Sequence, residues 1–462
     1  MKYKLFFLVC INAVALFFPY NIIGCAGGDA DPYDYYVSFF DKNNTNVKGY
    51  TPFYYTDVQF LYEEQEPVST SDVTAAEWVG YGNNSFSKKD AIEFVVKYER
   101  KHLANLYYFL EKNQPLQIPD SIKNNGMTAY FMKSKDLEAL GYLMYAKQVE
   151  PNVLGDWSAW EPVQRDKDKM AKLQKNGLQL HNVAKSDFIK LRYGYQVVRL
   201  AHYAGRYEEA ITNYDQLIKP NPTKSILQDL SLSLKAGALS HTGQKNEAAY
   251  IFSQLFSKNE VMRVSNYMSF DWSVKRFDEK NRQQVLSICK NDEERANVLG
   301  LFALGSDRNE LPTLKLINKL APSSPILEVL SIRELNKLEQ NYFTPDNDAK
   351  KKDPLRIRQY YTEGENNKEL NSWKVLVPAF AAFAQDISKQ KSTPNKGLYA
   401  VAAAHALLIN KDYAGARKQL DEAKKMNLSS QLQDQWAMTN LLLTINSQPT
   451  IDKKFEEQIF PS

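Results

Sequence analysis

The chain has 462 residues, 44% hydrophobic and 24% charged, enough apolar material for a core and far from the composition of a disordered chain. Lys and Arg number 58 against 54 Asp and Glu, a net charge of +4, too balanced for a surface that grips a nucleic-acid backbone. Nucleic acid is therefore excluded from the expected partners.

The chain opens MKYKLFFLVCINAVALFFPYNIIGC, with Lys2 and Lys4 followed by an apolar run from Leu5 to Phe18. That run is short for a membrane span and has the form of a signal-peptide core. Ile22, Ile23, Gly24 and Cys25 then set an aliphatic residue three places before a cysteine and a small one immediately before it. This box resembles that of bacterial lipoproteins, and the resemblance implies cleavage before Cys25, lipid on its thiol and attachment to a membrane through that lipid. Pro19 to Asn21, inserted between the run and the box, depart from the pattern, and a plain secretory signal or a retained anchor are the alternative readings. Loss of the signal would leave 56 basic against 54 acidic side chains, with Cys289 as the one free thiol, so no intramolecular disulfide is expected.

Ala26 to Asp31 is small and acidic, a flexible tether. Gly27, Gly28 and Asp29 beside the cysteine resemble the start of surface lipoproteins of Bacteroidota. The lack of Asp directly after Cys25 points, by analogy with lipoprotein sorting, to the outer membrane. Tyr33 to Tyr62 holds eleven aromatics in thirty residues, against 12% for the whole chain. Exposed, such rings would offer stacking faces to a glycan or a partner. Packed, they would cover the apolar edge of the first helices, as terminal repeats require, and that is the expectation here. Pro32 and Pro52 predict extended or irregular chain with short turns.

Ile92, Phe94, Val95, Tyr98, Leu103, Leu106, Tyr107 and Leu110 predict one helix beginning at Ser87 to Asp90 and ending before Pro115. A second is predicted from Ser134 to Gln148, stopped by Pro151. Trp157 and Trp160 lie in a loop, as packing anchors rather than in a ligand cleft, and a charged helix follows over 165–182. Two helical hairpins come next, Ser186 to Pro222 and Ser225 to Ser257. Gly205, Tyr207, Ala210 and Tyr214 stand at G-x-Y-x-x-A-x-x-x-Y, with Pro222 eight residues on. Thirty-eight residues later Gly243, Ala248 and Phe252 repeat the spacing, with Lys245 in place of the Tyr. The glycines end the first helix of each pair, where positive φ is often needed. The alanines let the helices approach, and Tyr214 and Phe252 fill the groove. This spacing resembles the tetratricopeptide repeat, whose hairpins cannot bury their apolar faces alone and stack on neighbours. An ordinary helical bundle with coincidental spacing is the alternative.

Met262 to Phe277 is aromatic and predicted irregular, and helices resume at Arg282 to Lys290. Asn291 to Glu294 has the form of a capping box, opening a helix that Gly305 closes. Helices over Pro312 to Leu320 and Ile326 to Glu339 follow. The string SIRELNKLE within the latter resembles a stretch of uncharacterised Bacteroidota lipoproteins. From Asn341 to Asn371 periodicity fails, and Lys350, Lys351, Lys352, Arg356 and Arg358 read as a solvated loop rather than an anionic-lipid or phosphate contact. A last hairpin places Tyr413, Ala416, Leu420 and Ala423 at the repeat spacing, with Lys411 where Gly would stand. His405, on a largely apolar helix, is expected to be buried and hydrogen-bonded. Gln431 to Ile445 and Asp452 to Ile459 close the chain.

The five histidines include no i, i+4 pair, and H-E-x-x-H, phosphate-loop, nucleophile-elbow and dinucleotide motifs are missing. Adjacent carboxylates such as Glu208 and Glu209 diverge by about 100° on a helix and cannot act on one bond as acid and base. A glycosidase built from carboxylates distant in sequence would leave no such mark. The expectation is a protein that is not an enzyme and uses no cofactor or metal. The expected fold is all-α, a tetratricopeptide-like α/α superhelix (solenoid) with an irregular aromatic-rich N-terminal segment. Its parts are a signal peptide (1–24), a tether and aromatic segment (25–86), helical repeats (87–340), a polar loop (341–371) and C-terminal helical repeats (372–462). The expected function is a lipid-anchored cell-envelope scaffold or adaptor holding another protein in a concave groove, with Tyr193, Arg199 and His202 as its lining. The alternative is a glycan-binding outer-membrane lipoprotein of a nutrient-uptake system, since starch-utilisation lipoproteins also join a lipidated Cys to tetratricopeptide-like helices. The arginine and aromatic strings associated with that family's helices are absent here.

Overall fold

Helix starts follow from local chemistry. Asn125, Asp136, Asp166, Ser225, Asp278, Asn291, Asn395, Asp412 and Ser429 each accept a bond from a backbone N–H of the turn that follows, satisfying donors the helix leaves unpaired. The computed structural model describes residues 38–45, 47–54, 66–155, 163–343 and 371–459, and among them it is all-helical. In chain order the helices are α1 Thr70–Tyr81, α2 Lys88–Ile92, α3 Arg100–Lys112, α4 Asp120–Lys123, α5 Gly126–Ser134, α6 Leu137–Leu154, α7 Lys167–Val183, α8 Asp187–Tyr203, α9 Tyr207–Asn213 and α10 Ile226–His241. They continue as α11 Lys245–Lys258, α12 Arg263–Ser273, α13 Glu279–Ile288, α14 Asp292–Leu304, α15 Leu311–Leu320, α16 Pro325–Leu338, α17 Leu376–Lys389, α18 Lys396–Ile409, α19 Tyr413–Lys424, α20 Ser430–Asn446 and α21 Lys453–Ile459. The one extended pairing among the described residues is a parallel bridge of Val68 with Val261. No described helix is long and apolar enough to cross a membrane.

Several expected boundaries are corrected. The single helix from Ser87 is two, because a wide π-turn over Glu93–Lys97 ends in extended backbone at Tyr98, and the chain restarts at Arg100. Pro151 does not stop α6. The helix runs through it to Leu154 and ends at Gly155, whose φ of +67° breaks the helical path. Arg263–Ser273, expected to be irregular, is helical, and α1, α4, α5 and α17 have no counterpart among the predicted helices. Cys25 with the whole signal and tether, Tyr33, Tyr35, Tyr36, Tyr55, Phe60 and Tyr62 lie outside the described residues, as do Trp157, Trp160 and the basic cluster Lys350 to Arg358.

Residues 40–462 form one compact unit, and of the unit before it only Ser38 and Phe39 are described. From α6 to α20 each helix packs on its successor, α12 and α13 excepted. The even-numbered helices also form a continuous row, α6 on α8, α8 on α10, and so on through α12, α14, α16 and α18 to α20. The largest core cluster runs along this array from Ala236 to Leu443, and it includes Phe40, Tyr50, Phe53 and Tyr54 from the start of the chain. Small side chains permit the close approach: Ala210, Ala248, Ala249, Ala400, Ala403, Ala404 and Ala416 are all fully buried.

Candidate functional site

The turns that join paired helices are built alike three times. Gly205 (φ +79°), Gly243 (φ +90°) and Lys411 (φ +63°) occupy the same left-handed position. After each, a backbone N–H reaches back five residues: Arg206 to Ala201 O at 2.9 Å, Gln244 to Leu239 O at 2.8 Å and Asp412 to Leu407 O at 2.9 Å. This is a Schellman-type closure, which satisfies carbonyls at a helix end. Tyr207, Lys245 and Tyr413 then start the next helix, and Ala210, Ala248 and Ala416 lie buried one turn on. Tyr214 packs half-buried beside Leu191 and Ile218 under the Lys235 ammonium, and Phe252 is buried in the main core.

Of the three residues expected to line a partner groove, Tyr193 is interior. It is 4% exposed, edge-on to Tyr142 at 5.2 Å and near Tyr145 at 5.4 Å, and burial pushes its phenol pKa up. Arg199 is half-buried above the Tyr195 ring at 6.0 Å. His202 is half-buried against α10, where Gly237 makes the room: a Cβ there would stand 2.8 Å from its Cε1. Tyr207 stacks on His241 at 4.3 Å, and His241 lies 6.4 Å from His202. Burial, and then His241, lower the His202 pKa to about 4, and its Nδ1 has no partner among the described residues. The three side chains do not form one surface.

What occupies the even row is the chain's own beginning. Phe40, Tyr50, Phe53 and Tyr54 are buried against helices and offer no stacking face, whereas Phe39 is exposed. Asn336 of α16 donates to Phe40 O at 3.0 Å, and Gln435 of α20 accepts from Asp41 N and from Asn44 Nδ2, both at 2.8 Å. Arg263 of α12 donates to Gly49 O at 3.0 Å, and Arg333 of α16 donates to Phe53 O at 2.9 Å. Further on, Glu66 accepts from Val264 N and Ser265 N at 2.9 Å each, closing the open end of α12. Glu77 of α1 does the same for α10 through Ile226 N at 2.7 Å and Ser225 Oγ at 2.8 Å, while also holding Arg192 of α8 at 2.9 Å. Residues 40–45, 47–54 and 66–81 thus contact the even row between α20 and α8.

The most polar stretch of that row is α16, buried from Ile326 to Leu338 with its charges inside. Lys337 meets Glu334 at 3.3 Å and Arg308 O at 2.8 Å, and Glu334 accepts from Glu310 N at 3.2 Å. Just beyond, Glu339 bonds His405, whose other nitrogen faces Thr439 Oγ1 at 3.4 Å, and Thr439 accepts from Gln435 at 3.2 Å. His405 is therefore buried and bonded, as its apolar helix implies. A cleft of about 180 Å³ opens nearby, lined by Arg276, Phe277, Arg282, Phe302, Ser306 and Arg308 among others. Arg308 lies over the half-exposed Phe277 ring at 4.1 Å, and Arg282 Nε has no partner among the described residues. Cys289 is buried, its thiol pushed up to about 11, so it is a poor nucleophile.

Arg263, Arg333, Asn336 and Gln435 were invisible to sequence reasoning. Arg333, Asn336 and Gln435 sit at helical spacing among apolar residues and read as an exposed face, and Arg263 lies in a stretch expected to be irregular. The one available signal was the charge on every side of SIRELNKLE, which no half-buried helix needs. No family model, curated protein or solved structure matches this chain.

Proposed function

We propose that the chain is a lipid-anchored cell-envelope scaffold or adaptor that binds another protein through tetratricopeptide-like helical repeats, without enzymatic activity or cofactor. The observation that carries this reading is the set of three matching turns at Gly205, Gly243 and Lys411 within a continuous row of paired helices. Such arrays serve to present side chains over a long surface. Trp272, 67% exposed at the end of α12, is a ready anchor, since large aromatic side chains dominate interface energetics. An affinity pull-down from solubilised envelopes should return a stoichiometric protein, and Trp272→Ala should weaken its retention. Recovery of no stoichiometric protein would sink the reading. The anchor rests on the box at Ile22 to Cys25 and its placement at the outer membrane on the residues that follow. Palmitate labelling should be lost in Cys25→Ala, and unchanged labelling would refute the anchor.

A second reading, glycan binding, has one observation in its favour. The cleft at Arg276 to Arg308 combines an exposed Phe277 ring with alternating guanidinium and carboxylate groups, which suit hydroxyls that both donate and accept. Retention on a polysaccharide gel, abolished by Phe277→Ala, would favour it over the scaffold.

A further inference from the structure

Residues 40–45 and 47–54 form nothing longer than a single 3₁₀ turn, Lys42–Asn44 and Thr51–Phe53, so their position is set by what binds them. The binding is of two kinds. Helix side chains read the main chain: Asn336 takes Phe40 O, Arg263 takes Lys48 O at 3.4 Å and Gly49 O at 3.0 Å, Arg333 takes Phe53 O at 2.9 Å, and Gln435 takes Asp41 N. Rings supply the rest. Phe40 meets His405 edge-on at 5.5 Å, Tyr50 lies under the Arg263 guanidinium at 4.4 Å, and Phe53 fits between Phe256 and Tyr267 at 5.2 and 5.4 Å. Gly49 makes the close approach possible. Its φ is +74°, and a Cβ there would stand 2.6 Å from Arg263 Nη1.

None of these contacts depends on the covalent path to the first helix. If the segment left, Arg263, Arg333, Asn336 and Gln435 would each lose a bond in a buried place, and unmade buried bonds are costly. An empty face is therefore disfavoured, while a second peptide of the same spacing restores every bond. We propose that residues 40–54 are an exchangeable self-ligand, bound in cis by the even-row face and replaceable in trans by the same segment of a second copy of this chain. This rests on the reading that the chain works by binding protein, and it names the partner segment.

The probe is a fluorescent peptide of residues 40–54. The first receptor is the full chain with Phe40→Ala and Phe53→Ala, which weakens the resident segment. The second is the wild-type sequence with a protease site between Tyr54 and Glu66, cut after folding. The cut chain should keep its own segment on gel filtration and exchange it for the labelled peptide with saturable anisotropy. Peptides carrying Gly49→Ala or Phe53→Ala should bind at least tenfold more weakly. If the double variant loses its helical circular dichroism, the cut chain alone decides. Failure of the labelled peptide to enter the cut chain, or binding of the Gly49→Ala and Phe53→Ala peptides as tight as that of the unsubstituted peptide, overturns the proposal. Either result leaves the envelope pull-down unaffected, because that experiment reads any protein partner.

Discussion

His202 is held neutral by its surroundings. Burial and the neighbouring His241 lower its pKa from 6.5 to about 4. Between those values the unfolded chain takes up a proton that the folded chain refuses. Stability from this group is complete above pH 6.5 and is lost as pH falls towards 4. At about 1.4 kcal/mol per pH unit, the loss reaches about 3 kcal/mol. His202→Gln should therefore flatten the melting temperature between pH 6.5 and 4 relative to the wild type, and parallel curves would contradict the assignment. The left-handed turns make a cleaner case. A Cβ on Gly243 would meet nothing within 4 Å, so Gly243→Ala isolates the backbone penalty of φ +90°, about 1 kcal/mol in denaturant titration. Lys411 bears that strain already, and Lys411→Gly should be neutral or gain up to about 1 kcal/mol. The turns at Gly205 and Gly243 are legible in the sequence because positive φ favours glycine, and the one at Lys411 only through the spacing of Tyr413, Ala416 and Leu420. The carboxylate caps are not. Glu66 and Glu77 close helices by accepting from backbone N–H groups 198 and 149 positions away, and no local pattern encodes such a pairing.

At the scale of elements, α16 is the least expected. A helix carrying Arg333, Glu334 and Lys337 reads as solvent-facing, yet α15 covers one side and the N-terminal segment another. Periodicity assigns a helix over Ile326 to Glu339 but does not say what lies on it. Likewise α12 lacks a local side-chain cap, so its aromatic sequence read as irregular until Glu66 supplied the missing acceptor. Burial raises the Glu334 pKa and lowers that of Lys337, so each charge depends on the other. Glu334→Gln or Lys337→Met alone strands a buried charge and should cost about 3–5 kcal/mol. The double variant should be more stable than the sum of the single losses implies. Additive losses in a double-mutant cycle would mean that the pair is not coupled.

Across the whole molecule, a stack of helix pairs in which each touches only its neighbours would unfold from its ends. Residues 40–45, 47–54 and 66–81 change that expectation, because between them they touch α20, α18, α16, α12, α10 and α8 and tie distant pairs together. Phe53 is the tightest knot. It is 2% exposed, lies between Phe256 and Tyr267, and gives its carbonyl to Arg333. Phe53→Ala should cost about 3–5 kcal/mol, as large-to-small changes in a core do. The informative measurement is hydrogen exchange. If the segment is a cross-link, protection should fall together in α12 and α16, which are separated by more than fifty residues of chain, while α3 and α6, packed in a separate core cluster, keep theirs. A fall confined to residues 51–53 would mean that the segment rests on a row already stable without it.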